Sequence, residues 1–412
     1  MYKKIIHIAL LALSLLHLPG CRSEEEIPTP ATKGSGLSIR VAFQAEEDIP
    51  GCEMIKELRL IVINNDGTVD PISDKRLTPS SDLALTKAGD SQKGENRLIY
   101  TYEPSPEDIT TGEKTIYALA NAEDIIQEIE KDLSKPLSSS SGNELKEKLA
   151  NYEMNNQMIV KTSNDQGWNV PITSRANNVT VQPGSAEDPQ EIEIVMVYAA
   201  VKFDLSFSYE QQNSSSNGQI EIESWQIAQI ADRSYLIPHI EDNAWETLLA
   251  GCGNAYTGID GEQNWVFDYN IPEQTGHGIH IQALSPALTI KDDETRSDGI
   301  TYYLHESKYF PEERDSDSRE EEGNAVEEPK EQQYTLTAKV KIGNSSFFLS
   351  GKFHNLKSLV RNTHVIVEAK VQEKNINSGD NTLEVRVRQW INQDPIEGGW
   401  EEVDDNKWEE VD

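Results

Sequence analysis

Two histidines, His277 and His280 in the run His-Gly-Ile-His, come nearest in type and spacing to a metal site in this chain. Neutral imidazole ligates metals well, but side chains three apart on a strand point to opposite faces, so strand-end histidines without a metal are the expectation. Carboxylates are abundant at Asp292-Asp293-Glu294 and from Asp315 to Glu322. Glycoside hydrolysis needs two carboxyl groups held at a fixed separation in a pocket, and uninterrupted acidic runs are solvated instead. Gly-x-Ser-x-Gly, a phosphate-cradling glycine loop, His-Glu-x-x-His and Cys-x-x-Cys do not occur. The sequence therefore points away from an enzyme and away from any cofactor. With 71 acidic against 37 basic residues and a formal charge of -34, nucleic acid and anionic membrane surfaces are excluded as partners.

The N-terminus carries chemistry of another kind. Met1-Tyr2-Lys3-Lys4 is followed by an apolar run from Ile5 to Leu18, interrupted only by His7, Ser14 and His17, which is a signal peptide too short for a permanent span. Leu18-Pro19-Gly20-Cys21 resembles a bacterial lipobox, with Pro19 an unusual choice at its position. That resemblance implies cleavage before Cys21, acyl chains such as palmitate on its thiol and amine, and attachment to the outer membrane. Residues 22–36 are polar and rich in Pro, Ser and Glu, which makes a flexible tether. The run Ser23-Glu24-Glu25-Glu26 resembles the signal that sends Bacteroidetes-type lipoproteins to the cell surface. Cys52 and Cys252 are the remaining cysteines, so a single disulfide stays open but no disulfide scaffold exists.

These features must sit on a folded body, and its signature is alternation of apolar residues between turn clusters, the mark of half-buried strands. Strands are expected at residues 37–43, 55–63, 97–102, 114–120, 158–161 and 178–182, with a hairpin turn at Asn64-Asn65-Asp66-Gly67. A second series is expected at 192–207, 219–230, 277–284, 300–304, 334–342, 346–349, 363–371 and 382–390. Helices are expected at 122–133, 143–152 and 243–249, and the charge run 314–323 reads as a loop insert. The expected fold is all-β: two tandem β-sandwiches with few short helices. The division is signal peptide 1–20, tether 21–36, first sandwich 37–188, second sandwich 189–390 and an acidic extension 391–412. That extension repeats Trp-Glu-Glu-Val-Asp, placing Trp400, Val403, Trp408 and Val411 as apolar anchors on a charged tail.

The chain resembles the fimbrillins, the type V pilin subunits of Bacteroidetes. The likeness lies in the lipobox, the early strands 37–43 and 58–63, and the run Lys114 to Ala122 ending in Ala-Asn-Ala. It continues in Tyr198-Ala199-Ala200-Val201-Lys202-Phe203-Asp204, Ile300 to Glu306, Val360-Arg361-Asn362-Thr363-His364 and the closing Leu383 to Trp390. The resemblance implies two transthyretin-like sandwiches and a first strand that a protease removes, so that a neighbour's terminal strand enters the groove by β-augmentation. On this chain the removable strand would present Leu37, Ile39, Val41 and Phe43. The donor would draw on Leu383, Val385, Val387, Trp390, Trp400, Val403, Trp408 and Val411. The family's shaft subunits have an arginine for cleavage in the loop after that strand. Residues 44–54 hold neither arginine nor lysine, and Arg40 lies inside the strand. The resemblance thus implies a fimbrial subunit at the cell surface, either lipid-retaining anchor or shaft, whose partners are other subunits and host or bacterial surface ligands. The rival expectation is a surface glycan-binding lipoprotein, which would need Trp168, Trp225, Trp245 and Trp265 gathered on one rim.

Overall fold

The computed structural model describes residues 37–44, 49–88, 97–105, 107–182, 190–212, 218–240, 270–273, 278–307, 334–353 and 359–388. Outside them lie Cys21 and the tether, His277, Cys252, Trp245, Trp265, the helix expected at 243–249, the charge run 314–323, and Trp390, Trp400, Val403, Trp408 and Val411. The described residues are mostly strand, with four short α-helices. None of those helices is long and apolar enough to cross a membrane.

The first sandwich opens with β1 (Ser38–Gln44), β2 (Leu58–Asn64), β3 (Ala84–Ala88), β4 (Arg97–Tyr102) and β5 (Gly112–Ala120). After helices α1 (Glu123–Leu133) and α2 (Gly142–Ala150) come β6 (Glu153–Asn155), α3 (Asn156–Ile159), β7 (Lys161–Thr162), β8 (Ile172–Thr173), β9 (Asn177–Val181), β10 (Glu191–Val195) and β11 (Val197–Tyr198). One sheet has the order β10-β1-β4-β3; the facing one runs β11-β8-β5-β2, with β9 also on β5. Leu58, Leu60 and Val62 face the first sheet, whereas Ile61 and Ile63 on the other side of β2 are covered by Ile125, Ile126 and Ile129 of α1 and Leu145 and Leu149 of α2. With both faces covered, all seven residues of β2 are buried and the strand loses its alternation. The apolar residues of α1 recur every three or four positions, which puts them on one side of the helix. Arg59 on β2 fixes the start of α1 by a two-pronged ion pair to Glu123, at 2.9 and 2.7 Å.

The second sandwich contains β12 (Val201–Glu210), β13 (Gln219–Ile230), β14 (Arg233–Tyr235), β15 (Gly278–Lys291), β16 (Thr295–Ser297) and β17 (Tyr302–Leu304). It continues through β18 (Thr335–Ile342), β19 (Ser345–Lys352), β20 (His364–Gln372), α4 (Glu373–Ser378) and β21 (Glu384–Arg388). Its sheets run β21-β20-β12-β17-β7 and β15-β13-β18-β19. Along β12, Val201, Phe203, Leu205, Phe207 and Tyr209 are buried and the residues between them half-buried, which is the pattern of a strand with one face in a core. Because β6 pairs with β14 and β7 with β17, the chain laces the two sandwiches together.

Three expectations are corrected. Residues 158–161 do not make one strand: Asn155 caps the turn of α3, its side-chain oxygen accepting from the Gln157 amide at 2.8 Å, and the chain extends again only at β7. The single strand expected at 192–207 is three, because the chain crosses between sandwiches at Ala199 and Ala200, both packed in the junction core. Residues 277–284 continue as strand to Lys291, passing through Pro286, which lies on an edge strand as proline in a sheet must. His280 lies half-buried between the rings of Trp225 and Tyr302, at 5.2 and 5.5 Å. Among the described residues no group of three His, Cys, Asp or Glu side chains could hold a metal.

Candidate functional site

The sequence placed function at the first strand, and β1 proves to be an interior strand of its sheet. It runs parallel to β10, with Arg40 opposite Glu193 and Val41 opposite Ile194, and antiparallel to β4, with Arg40 opposite Thr101 and Val41 opposite Tyr100. Leu37, Ile39, Val41 and Phe43 all join the first core. Burying a side chain of this size stabilises by roughly 1.5–3 kcal/mol, so the four together are a large part of what holds this sandwich. The Phe43 ring stacks on Tyr100 at 6.2 Å and meets Tyr198 edge-on at 5.7 Å.

The other face of β1 is ionic. Arg40 reaches Glu191 at 3.0 Å, and Arg97 on β4 reaches Glu193 at 2.7 Å. Strand β10 does not depend on β1 alone for its place. Gln190 beside it donates to the Thr180 carbonyl at 2.7 Å and accepts from the Gln182 amide at 2.9 Å, and the next strand, β11, belongs to the facing sheet. Lifting β1 out would therefore leave a slot between two strands that are each tied elsewhere. A protease needs its substrate extended and unpaired, and Arg40 is paired on both sides. An arginine-specific protease is accordingly expected to leave the Arg40–Val41 bond intact in the native protein and to cut it once urea has unfolded the chain; N-terminal sequencing of the digest reads the difference.

The chain just beyond β1 is anchored firmly to the second sandwich. The turn Gly51–Glu53 is buried at its end, where the Glu53 carboxylate accepts from the Tyr303 hydroxyl at 2.7 Å and pairs with Lys202 at 3.1 Å. Burial, followed by the Glu53 charge, pushes the Tyr303 phenol far up, so it stays a donor. Cys52 has a free thiol 3.3 Å from the same hydroxyl, and burial pushes its titration up as well, which makes it a poor nucleophile. Asn121 holds the following residues: its amide donates to the Met54 and Val170 carbonyls, each at 3.0 Å, and its oxygen accepts from the Lys56 amide at 2.8 Å. Its φ of 54° is left-handed, a conformation asparagine tolerates better than most residues.

The runs that carried the family likeness meet at this junction. Arg361 is fully buried, donates to the Glu306 carboxylate at 2.8 Å through Nε and also through Nη2, and donates to the carbonyls of Leu236 at 3.1 Å and Tyr235 at 2.6 Å. Asn362, at φ 62°, accepts from the Tyr198 amide at 3.0 Å. Glu53 escaped the sequence reading, because a lone acid in a loop has no periodic or motif signal; only its partners reveal it.

Ser234 and His305 also meet here, Oγ to Nδ1 at 2.8 Å, yet both are fully buried and no substrate reaches them. Burial pushes the His305 pKa down from 6.5 to about 3, keeping the ring neutral. A group whose folded pKa is depressed in this way contributes stability that is complete above its unfolded pKa and is lost as pH falls. Between pH 6.5 and about 3 the chain should thus lose up to about 1.4 kcal/mol per pH unit from this residue. His305→Gln is expected to flatten that acid slope, as measured by urea unfolding at a series of pH values.

The proposed donor positions lie partly in view. Leu383 and Val385 are buried in the second core, and β21 pairs with β20 from Lys370 opposite Glu384 to Ile366 opposite Arg388, placing Val387 opposite Val367. Among the described residues this strand ends its sheet, with a neighbour on one side only. As for a glycan platform, Trp225 is buried in the second core and Trp168 lies half-buried against Tyr303, its ring nitrogen donating to the Met158 carbonyl at 2.8 Å. Neither presents a face on a rim.

No protein-family model matches the chain, and no curated protein matches it. Among solved structures it is similar to a Parabacteroides distasonis protein provisionally described as a cell adhesion protein, at 13% identity over 86% of this chain and 96% of that one, with a TM-score of 0.46. It is similar to a fimbrial assembly protein of the same organism at 9% identity over 85% and 98%, with a TM-score of 0.41. A Bacteroides eggerthii protein, also provisionally described as a cell adhesion protein, matches at 12% identity over 89% and 98%, with a TM-score of 0.41.

Proposed function

We propose that this chain is a structural subunit of a cell-surface fimbrium, carried to the outer membrane by lipid on Cys21 and joined to neighbouring subunits by strand exchange. The observation that carries this reading is the position of β1. An interior strand that supplies four core side chains stands at the start of the described residues, so one cut after Gln44 would sever it from the rest of them. A neighbour's strand entering the slot would gain backbone hydrogen bonds from β4 and β10 together, with alternate side chains setting its register. While β1 remains, it protects two edges that would otherwise pair indiscriminately.

The pairing of Arg40 on both sides and the lack of arginine or lysine from Gln44 to Met54 favour retention of β1, hence of the lipid, in the resting subunit. Such a subunit anchors a fimbrium by donating its C-terminal strand; a protease of other specificity acting at 45–48 converts it into one that also accepts. Immunogold microscopy with an antibody to the second sandwich tests the reading. Gold on or at the base of surface fibres is the expected result. Gold spread over cells whose fibres persist unlabelled and unchanged when the chain is deleted would overturn it.

A further inference from the structure

The inward-facing positions of β2 and β5 are apolar, Leu58, Leu60 and Val62 on one and Ile116, Ala118 and Ala120 on the other, and each series ends in a polar residue, Asn64 and Lys114. These two lie directly opposite each other in the ladder between the strands. Lys114 is buried to the tip of its side chain, and Asn64 is buried with it. Lys114 Nζ donates to Asn64 Oδ1 and to the Thr110 hydroxyl, the latter at 2.7 Å, and lies 3.0 Å from Asp70 Oδ2. Asp70 Oδ1 in turn accepts from Asn64 Nδ2 at 2.9 Å. The Asp70 carboxylate is itself buried, and accepts from the Thr110 amide at 3.1 Å and the Thr110 hydroxyl at 2.9 Å. An amine, a primary amide and a carboxylate that contacts both are thus enclosed at the end of the first core. A buried ion pair alone stabilises no better than apolar residues in the same places. What this cluster adds to the pair is an amide against the amine.

We propose that Lys114 and Asn64 join in an intramolecular isopeptide bond, with Asp70 as the catalytic residue. Burial lowers the Lys114 pKa, opposed by the charge of Asp70, and so favours the neutral, nucleophilic amine. Asp70 takes a proton from Nζ through Oδ2, and the freed lone pair forms the bond to Asn64 Cγ. As the Cγ–Nδ2 bond breaks, its electron pair leaves with Nδ2, which Asp70 protonates through Oδ1. Nζ gives up two protons in all: one completes ammonia, the other departs with it as ammonium, and Asp70 ends as it began. The contacts already made hold the three groups together, so the reaction is intramolecular throughout. The bond clamps β2, which ends its sheet among the described residues, to β5. It also closes residues 64–114, with β3 and β4 among them, into a ring that unfolding leaves shut. It needs no second chain and is independent of strand exchange.

The test is the intact mass of the full mature chain purified folded, followed by trypsin digestion after denaturation. The expected mass is short by one ammonia, and the digest should contain a branched peptide joining residues 60–75 to 98–131, uncut at Lys114. K114R and D70N should keep the ammonia and give separate peptides. Full mass in the unsubstituted chain with cleavage after Lys114 would overturn the proposal, as would ammonia lost within an unbranched peptide 60–75, the mark of a cyclised asparagine. A branched peptide from D70N would overturn the role of Asp70. Because the first result comes from the unsubstituted protein, it stands whether or not the variants fold.

Discussion

Phe43→Ala is expected to destabilise the first sandwich by about 3–5 kcal/mol, near the upper end for a single core truncation. Phe43 is fully buried, and its ring is held by Tyr100 on one face and Tyr198 on an edge. Truncation removes apolar burial and leaves a cavity beside two packed rings, that of Tyr198 held through its hydroxyl, which donates to the Glu53 carbonyl at 3.3 Å. Little collapse can relieve that void. Urea unfolding reads the loss, and Phe43→Leu, which refills most of the volume, should cost less than half as much. The same substitution weakens the hold on the resident strand, so protein cut after Gln44 and carrying it should release β1 faster.

The second large effect lies at the junction. Glu306→Ala leaves the Arg361 guanidinium buried with two backbone carbonyls but no counter-charge, and breaking a buried pair in this way costs about 3–5 kcal/mol. The double variant Glu306→Leu with Arg361→Met removes both charges and should recover much of the loss, because the desolvation cost disappears with them. Thermal unfolding of the single and double variants distinguishes this from simple loss of packing, which the double variant would not repair. A weak effect of Glu306→Ala would mean that water reaches the pair.

Strands in which one face is buried were legible in the sequence. Residues 37–43, 97–102 and 219–230 alternate because one side of each meets a core, and they fall within a residue of β1, β4 and β13. Where helices cover the outer side, as over β2, alternation vanishes and only the apolar density remains. Strands of two or three residues, such as β6, β8 and β14, are too short to show any period and exist because a neighbour pairs with them. The parallel pairing of β1 with β10 joins residues about 150 positions apart, and no local signal encodes it. At the junction, Asn121, Arg361 and Asn362 stand in the runs that resemble the fimbrillins, but their work is visible only with their partners: Asn121 holds the segment that follows β1, Arg361 pairs with Glu306 under the carbonyls of Tyr235 and Leu236, and Asn362 accepts from the Tyr198 amide. Glu53 gave no signal at all.

On the strand-exchange proposal, removal or retention of the first strand decides what kind of subunit the chain would form, and both leave a mark on its N-terminus. The decisive measurement is the intact mass and N-terminal sequence of the chain recovered from the surface of producing cells, read separately in multi-subunit assemblies and in free monomer. The strand-exchange account predicts the chain in assemblies, starting either at acylated Cys21 with β1 retained or at an unlipidated residue between Ala45 and Gly51 with β1 gone. Recovery solely as a monomer that starts at acylated Cys21 would contradict it.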